Sequence, residues 1–194
     1  MHSHVKAAAL AAAAAVAITA ADAAEGPHVA PLVEYAQSTI SGWMADPIVV
    51  DAIRAQNERH ASLSDAEIEA LDQQWRTEVD AASRPLIDEM MARALSDWLK
   101  SKREDSQGFV TEVFVMDMKG LNVGQSDVTS DYWQGDEAKW QETYLKGPGM
   151  IFVDEIEQDE STQMLQSQVS MSVIDPETNE VIGAVTVGVN VDQL

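Results

Sequence analysis

FVTEVFVMDMKG, residues 109–120, is the stretch whose reading decides the fold. Phe109 to Asp117 alternates in the manner of a strand, and Asp117-Met118-Lys119-Gly120 reads as a turn into LNVGQSD. Upstream of it the apolar period is helical. Leu32, Ala36, Ile40, Trp43 and Met44 fall on one helical face. Asp46-Pro47 supplies a cap and a first-turn proline for a helix through Ile48, Val49 and Ile53. SDAE at 64–67 is a capping box before the stripe Ile68, Leu71, Trp75 and Val79. After Arg84-Pro85 a further stripe runs Ile87, Met90, Met91, Ala94, Leu95, Trp98, with Lys100, Lys102 and Arg103 near its C-terminal end, where positive charge suits the helix dipole.

Downstream the period is that of strands. A short helix opened by Asp136 is followed by MIFVDEIE, SQVSMSVID and EVIGAVTVGVNV, the last two joined by the polar turn DPETNE. In the final strand Val181, Val185, Val187, Val189 and Val191 are expected on one face, with the small residues Ala184, Thr186, Gly188 and Asn190 on the other. Long helices followed by strands predict an α+β domain: an antiparallel sheet of about five strands with a short helix and loop over one face. Small residues on that face would leave space for a ligand.

The chain of 194 residues suits one domain, and its 45% hydrophobic content is globular. A net charge of −21 argues against nucleic acid or anionic lipid as a partner and is compatible with a cationic ligand or simply a solvated surface. The N-terminus carries Lys6, an apolar run from Ala7 to Ala21 and the small-x-small site Ala21-Asp22-Ala23, the layout of a secretory signal peptide over residues 1–23. His2 and His4 fall in that segment and are set aside. Its removal takes one base and one acid, so the mature residues 24–194 keep a charge of −21. No later stretch is long and apolar enough to span a bilayer, and the expected location is periplasmic or secreted. Without cysteine there is no disulfide framework, thiolate metal site or cysteine nucleophile.

The order of these pieces carries a resemblance. DPIVVDAIRAQN, then FVMDMKGLNVGQSDVTSDYWQGDEAKW, then DESTQMLQSQVSMSVIDPETNEVIGAVTVGVNV is similar to the extracytoplasmic PAS-like sensor domains called Cache or PDC domains, over roughly residues 31–194. The resemblance implies a helical part over 31–104, a PAS-like sheet part over 105–194, and a small molecule held between the sheet and the aromatic loop and helix. Members that bind amino acids carry an Arg just before an aromatic pair. Here Asp131 precedes Tyr132-Trp133, so the cation that would meet a ligand carboxylate is missing at that position. Most members are joined to a membrane helix and a signalling domain. The chain ends at Leu194 without either, so the expectation is a freestanding sensor that signals through a separate partner, such as a membrane receptor or sensor kinase.

Tyr132 and Trp133 sit in an Asp/Ser/Thr/Gly-rich loop, where rings over a sheet make pocket walls. Asp131 and Asp136 are candidates for a ligand's polar end, though Asp136 serves equally as a helix cap. Trp140 and Tyr144 are four apart, share a helix face and read as core first, pocket second. The acidic run Asp154–Thr162 reads as an exposed loop or edge strand. Alternatively Asp154 or Asp159 pairs with an ammonium group or a cation. The calcium-loop pattern is absent, and no metal or cofactor is expected. Lys139 and Lys146 are the nearby cations; Lys139 could meet an anionic ligand but reads first as exposed, and Asn57, Arg59 and His60 read as helix-surface residues. No catalytic motif stands out, and a non-enzyme is expected. Two alternatives remain open: a structural module dimerising through its N-terminal helices, and a hydrolase using two of the 33 acidic residues.

Overall fold

The computed structural model describes residues 25–158 and 164–194. The signal peptide reading and the candidate Asp159 lie outside the described residues. The helical part is α1 (Val29–Tyr35), a π-helical turn (Ala36–Ile40), α2 (Ser41–Met44), α3 (Pro47–His60), α4 (Asp65–Val79), α5 (Pro85–Met91) and α6 (Ala94–Asp105). The strands are β1 (Val110–Met116), β2 (Asn122–Gln125), β3 (Ile151–Val153), β4 (Glu157–Gln158), β5 (Leu165–Ile174) and β6 (Val181–Asn190), with α7 (Ala138–Gln141) between β2 and β3.

Local signals act where the sequence places them. The Asp46 carboxylate accepts from the Ile48 N–H, with Pro47 in the first turn of α3. Ser64 and Glu67 form a reciprocal capping box at the start of α4. The stripe from Ile87 to Trp98 does not form one helix. The chain breaks at Ala92-Arg93, where Arg93 is extended (φ −71°, ψ 142°) and donates to Gln56 Oε1 at 2.9 Å and to the Val123 carbonyl at 3.0 Å. A helical Arg93 would lose that anchor, so tertiary bonding overrides the period.

The sheet is open and antiparallel, in the order β2-β1-β6-β5-β3, with β4 paired to β5. Its inner face packs Val113, Val115, Val169, Val173, Val185, Val187 and Val189 against Leu32, Ile40, Val49, Ile53 and Leu99 from the helices. Each such side chain contributes about 1.5–3 kcal/mol on burial. Val181 does not join this face. The β5–β6 register slips between Val173 and Ile174, and Ile182 packs inward instead. Val191 lies past the strand, in a terminal 3₁₀ turn. The outer face carries Phe114, Met116 and Ala184 under Trp140 and Tyr144, and the segment leading into α7 crosses it. A third cluster (Ile68, Trp75, Ile87, Met90, Leu121, Tyr132) fills the space between α4, α5 and the β2 edge. Helices on one face and a loop with a short helix on the other make this an α+β fold with an open, PAS-like antiparallel sheet.

Candidate functional site

The Asp117–Gly120 turn fixes where the aromatic loop lies. Asp117 is fully buried, and its Oδ1 accepts from the N–H groups of Lys119 (2.8 Å) and Leu121 (3.0 Å). Its Oδ2 meets His60 Nδ1 at 2.6 Å and Gln56 Nε2 at 3.0 Å. Asn57 is equally engaged, donating to the Ile182 carbonyl and accepting from the Met118 N–H. Asn57 and His60 therefore bind the turn instead of standing on an open helix surface, because α3 crosses directly over it. Gly120 has φ +82°, and a Cβ there would come within 2.6 Å of Gly135 Cα. The close approach lets Gln134 N–H reach the Gly120 carbonyl (2.8 Å) and Asn122 N–H the Tyr132 carbonyl (3.0 Å).

The loop is held equally from the helix side. Asp72 Oδ1 accepts the N–H groups of Tyr132 (2.9 Å) and Trp133 (3.0 Å). Asp72 Oδ2 binds Arg76 Nε at 2.6 Å, and Arg76 Nη2 lies 3.3 Å from Asp131 Oδ2. These carboxylates hold the Arg76 guanidinium above its ordinary pKa, Asp72 first among them. Trp75 Nε1 donates to the Thr129 carbonyl at 2.9 Å.

A chamber of about 230 Å³ lies between this loop and the outer face of the sheet. Glu112, Phe114 and Gln168 supply its sheet side, and Thr129 to Asp131, Gln134, Glu137 and Lys139 its loop side. Taking about 30 Å³ per water-sized volume, it has room for roughly seven or eight heavy atoms. Asp131 Oδ1 is held by Gln134 Nε2 at 2.5 Å. Lys139, only 13% exposed, pairs with Glu137 at 2.8 Å and stands 5.6 Å from the Phe114 ring centroid. The solvent-exposed reading of Lys139 is thus replaced, because the short α7 turns that side chain over the sheet. Three carboxylates and one ammonium line the chamber, Asp131 being paired with Arg76 from outside it, and the Lys139 cation is set over the aromatic floor.

The seven candidate residues do not converge on this chamber. Asp131 lines it. Tyr132 points the other way, 2% exposed and stacked on Trp75, with its hydroxyl at Arg93; burial pushes its phenol up to about 12. Trp133 and Asp136 line a separate cleft of about 460 Å³ against α4, beside Ile68, Asp72 and Arg76. Trp133 Nε1 donates to the Lys119 carbonyl. Asp136 does not cap α7, whose N-cap position is Glu137 with no side-chain cap bond. Trp140 and Tyr144 stack at 5.0 Å over Phe114 and Met116 and fill the neighbouring part of the sheet face. Asp154 lies near β4, its carbonyl accepting from Ser167 Oγ at 2.7 Å. Glu112, Phe114, Gln168 and Gln134, which also line the chamber, were not among the candidates, and Lys139 was raised only as a contact for an anionic ligand. The alternation of β1 did carry a signal for two of them, since Glu112 and Phe114 share the face of Thr186 and Gly188.

A scan against family models gives no match, and a search of curated proteins gives none either. Among solved structures the chain is similar to the sensor domain of the V. cholerae histidine kinase DctB, with TM-score 0.47 and 18% identity over 86% of this chain and 52% of that one. It is also similar to the sensory domain of the Campylobacter jejuni chemoreceptor Tlp3 with isoleucine bound (TM-score 0.39, 17% identity, 84% of this chain and 58% of that one). A third is the ligand-binding domain of the Pseudomonas aeruginosa PAO1 chemoreceptor PctC in complex with GABA (TM-score 0.41, 12% identity, 86% and 61%). The chain thus spans between about half and two thirds of the length of these domains. No helix among the described residues is long and apolar enough to cross a membrane.

Proposed function

We propose that the chain is a non-catalytic extracytoplasmic sensor domain that holds a small polar or cationic metabolite in the chamber under the 129–139 loop. The carrying observation is that chamber itself. It is a cavity of metabolite size on the outer sheet face, lined by Asp131, Glu112, Glu137 and Lys139, with Arg76 meeting Asp131 from outside the lining. An ammonium group fits the Asp131–Glu112 side, and a polar acceptor fits Lys139. The DctB, Tlp3 and PctC domains, to parts of which the chain is similar, are sensor or ligand-binding domains, in agreement with this reading.

Binding leaves the ligand unchanged and stabilises the folded domain by mass action. The loop is tied to α4 through Asp72, Arg76 and Asp131, so occupancy is communicated to the helical layer and from there to a separate receptor or kinase partner. Mass spectrometry of small molecules released from natively purified protein tests the reading. A compact amine or polar metabolite in near-stoichiometric amount supports it, and an empty protein that shows no thermal shift with any such compound overturns it.

A second reading rests on a different observation. Tyr35, Trp43 and Phe109 form edge-to-face contacts beside a half-open cleft of about 480 Å³ on the N-terminal helical edge, with Lys102 over Trp43 and Trp98. Partly exposed aromatic clusters suit self-association through the N-terminal helices. Light scattering that returns a dimer lost on Trp43→Ala supports it, and a monomer at all concentrations removes it.

A further inference from the structure

A larger space lies beside the chamber. A trough of about 680 Å³ is lined by Thr111 and Glu112 of β1, Gln166 of β5, Asp127 and Val128 of the loop, and Arg103 at the end of α6. Each wall passes from trough to chamber in step: Thr111 to Phe114 along β1, Gln166 to Gln168 along β5, Val128 to Thr129 along the loop. Glu112 lines both spaces. The boundary is therefore a single row across the sheet.

That row is Glu112, Gly188 and Gln168, which lie opposite one another across β1, β6 and β5. Gln168 Nε2 donates to Glu112 Oε1 at 2.8 Å, bridging over the middle strand. Gly188 permits this, because a Cβ there would stand 2.8 Å from Glu112 Cγ. The next row, Phe114, Thr186 and Ser170, has no such bar; there Ser170 and Thr186 bond to each other at 2.9 Å.

We infer that the Glu112–Gln168 bridge is a length filter: it closes the chamber against the trough and limits the ligand to a compact amine, excluding extended ones. The inference rests on the ligand reading given above. Gln168 acts as a specificity-determining residue through its side-chain length and its hydrogen bond, and Gly188 acts through the absence of a side chain. Removing the bar joins the chamber to the trough, and a ligand anchored by its ammonium group in the chamber then extends along β1 toward Gln166 and Asp127.

The test uses amino alcohols of constant charge and rising length, namely ethanolamine, aminobutanol, aminohexanol and aminooctanol, titrated calorimetrically into wild type and Gln168→Ala. Constant charge keeps non-specific attraction to the acidic surface the same across the series. Wild type should bind ethanolamine and discriminate against aminooctanol, and Gln168→Ala should raise the aminooctanol-to-ethanolamine affinity ratio by at least about tenfold as the added methylenes are buried. Gln168→Ser, a residue β5 already carries at Ser170 and Ser172, gives the same comparison should the alanine variant fold poorly. An unchanged ratio in a variant that still binds ethanolamine overturns the filter and leaves the chamber reading intact. Equal binding of long and short members by wild type also overturns the filter. Binding of none of them by wild type removes the filter and the cationic-ligand reading together.

Discussion

The ring of Tyr132 lies almost parallel to that of Trp75, with centroids 5.3 Å apart and planes 14° from each other. This pair is the seam between α4 and the loop that roofs the chamber, and it is sealed on all sides by Ile68, Ile87, Met90 and Leu121. Tyr132→Ala should therefore cost about 3–5 kcal/mol, the range for truncating a buried aromatic. Tyr132→Phe keeps the stacking and should cost far less. Urea unfolding of both variants checks this, and an alanine variant within about 1 kcal/mol of wild type would place the ring outside the core.

Gly120→Ala attacks the same loop from the sheet side. Its φ of +82° is strained for any residue with a side chain, and the new Cβ meets Gly135 Cα at 2.6 Å. A loss of roughly 1–3 kcal/mol is expected. Trp133, whose Nε1 donates to the Lys119 carbonyl in that turn, should report the displacement as a change in fluorescence. A stable variant with unaltered emission would show that the turn does not set the loop.

The parts of this molecule legible in the sequence are those encoded locally. The Asp46 and Ser64 caps, the strand alternation and the small-residue face of β6 each depend on neighbours a few residues away. The misread parts depend on distant partners. The break at Arg93 is made by Gln56 and the Val123 carbonyl, and no period in the stripe records it. The direction of Tyr132 is set by Asp72, which binds the backbone at 132 and 133 from another helix and so sends one ring inward and the next into a different cleft. Of the candidate site, the loop was legible because its composition is polar and aromatic. The sheet side was only half legible, since alternation gives the face of Glu112 but not which residue of β5 stands across from it.

Acid should act on one partly buried ion pair. Arg54 grips Asp175 through Nε and Nη2 at 2.7 and 2.6 Å, and this hydrogen-bonded pairing lowers the carboxyl to about 2. The folded-state pKa lies below the unfolded value of about 3.9, so the stabilisation is complete above that value. It is lost as the pH falls from there toward 2. Asp175→Asn should lower stability at neutral pH and flatten the acid limb of the stability profile relative to wild type. Parallel profiles for the two proteins would show that the pair contributes nothing.

Alkali should act through all three tyrosines. Burial pushes Tyr35 and Tyr132 up to about 12, and it raises Tyr144 as well, with the Asp117 charge adding to the effect. The neutral phenol is favoured in the fold, so this stability is intact below the ordinary value of about 10 and drains away as the pH climbs through the raised values. Spectrophotometric titration of the native protein should show little phenolate where a free phenol is half ionised, followed by a steep rise that coincides with loss of the circular dichroism signal. Three tyrosines ionising independently near 10 in folded protein would contradict the burial described.

Asp131 is the candidate whose removal should separate binding from folding. The residue lines the chamber, its carboxylate held by Gln134 Nε2 at 2.5 Å and paired with the half-exposed Arg76 at 3.3 Å. In Asp131→Asn the side-chain oxygen still accepts from Gln134, and Arg76 keeps its contact with Asp72. An exposed pair of this kind contributes at most about 1 kcal/mol, so the melting temperature should shift little. A charge-assisted bond to a ligand ammonium group carries more, and affinity for ethanolamine, or for whatever amine is released from the native protein, should fall by about tenfold to a hundredfold. Calorimetry on the folded variant decides it: an affinity equal to wild type would take Asp131 out of the binding surface and shift the anchoring role to Glu112 and Glu137.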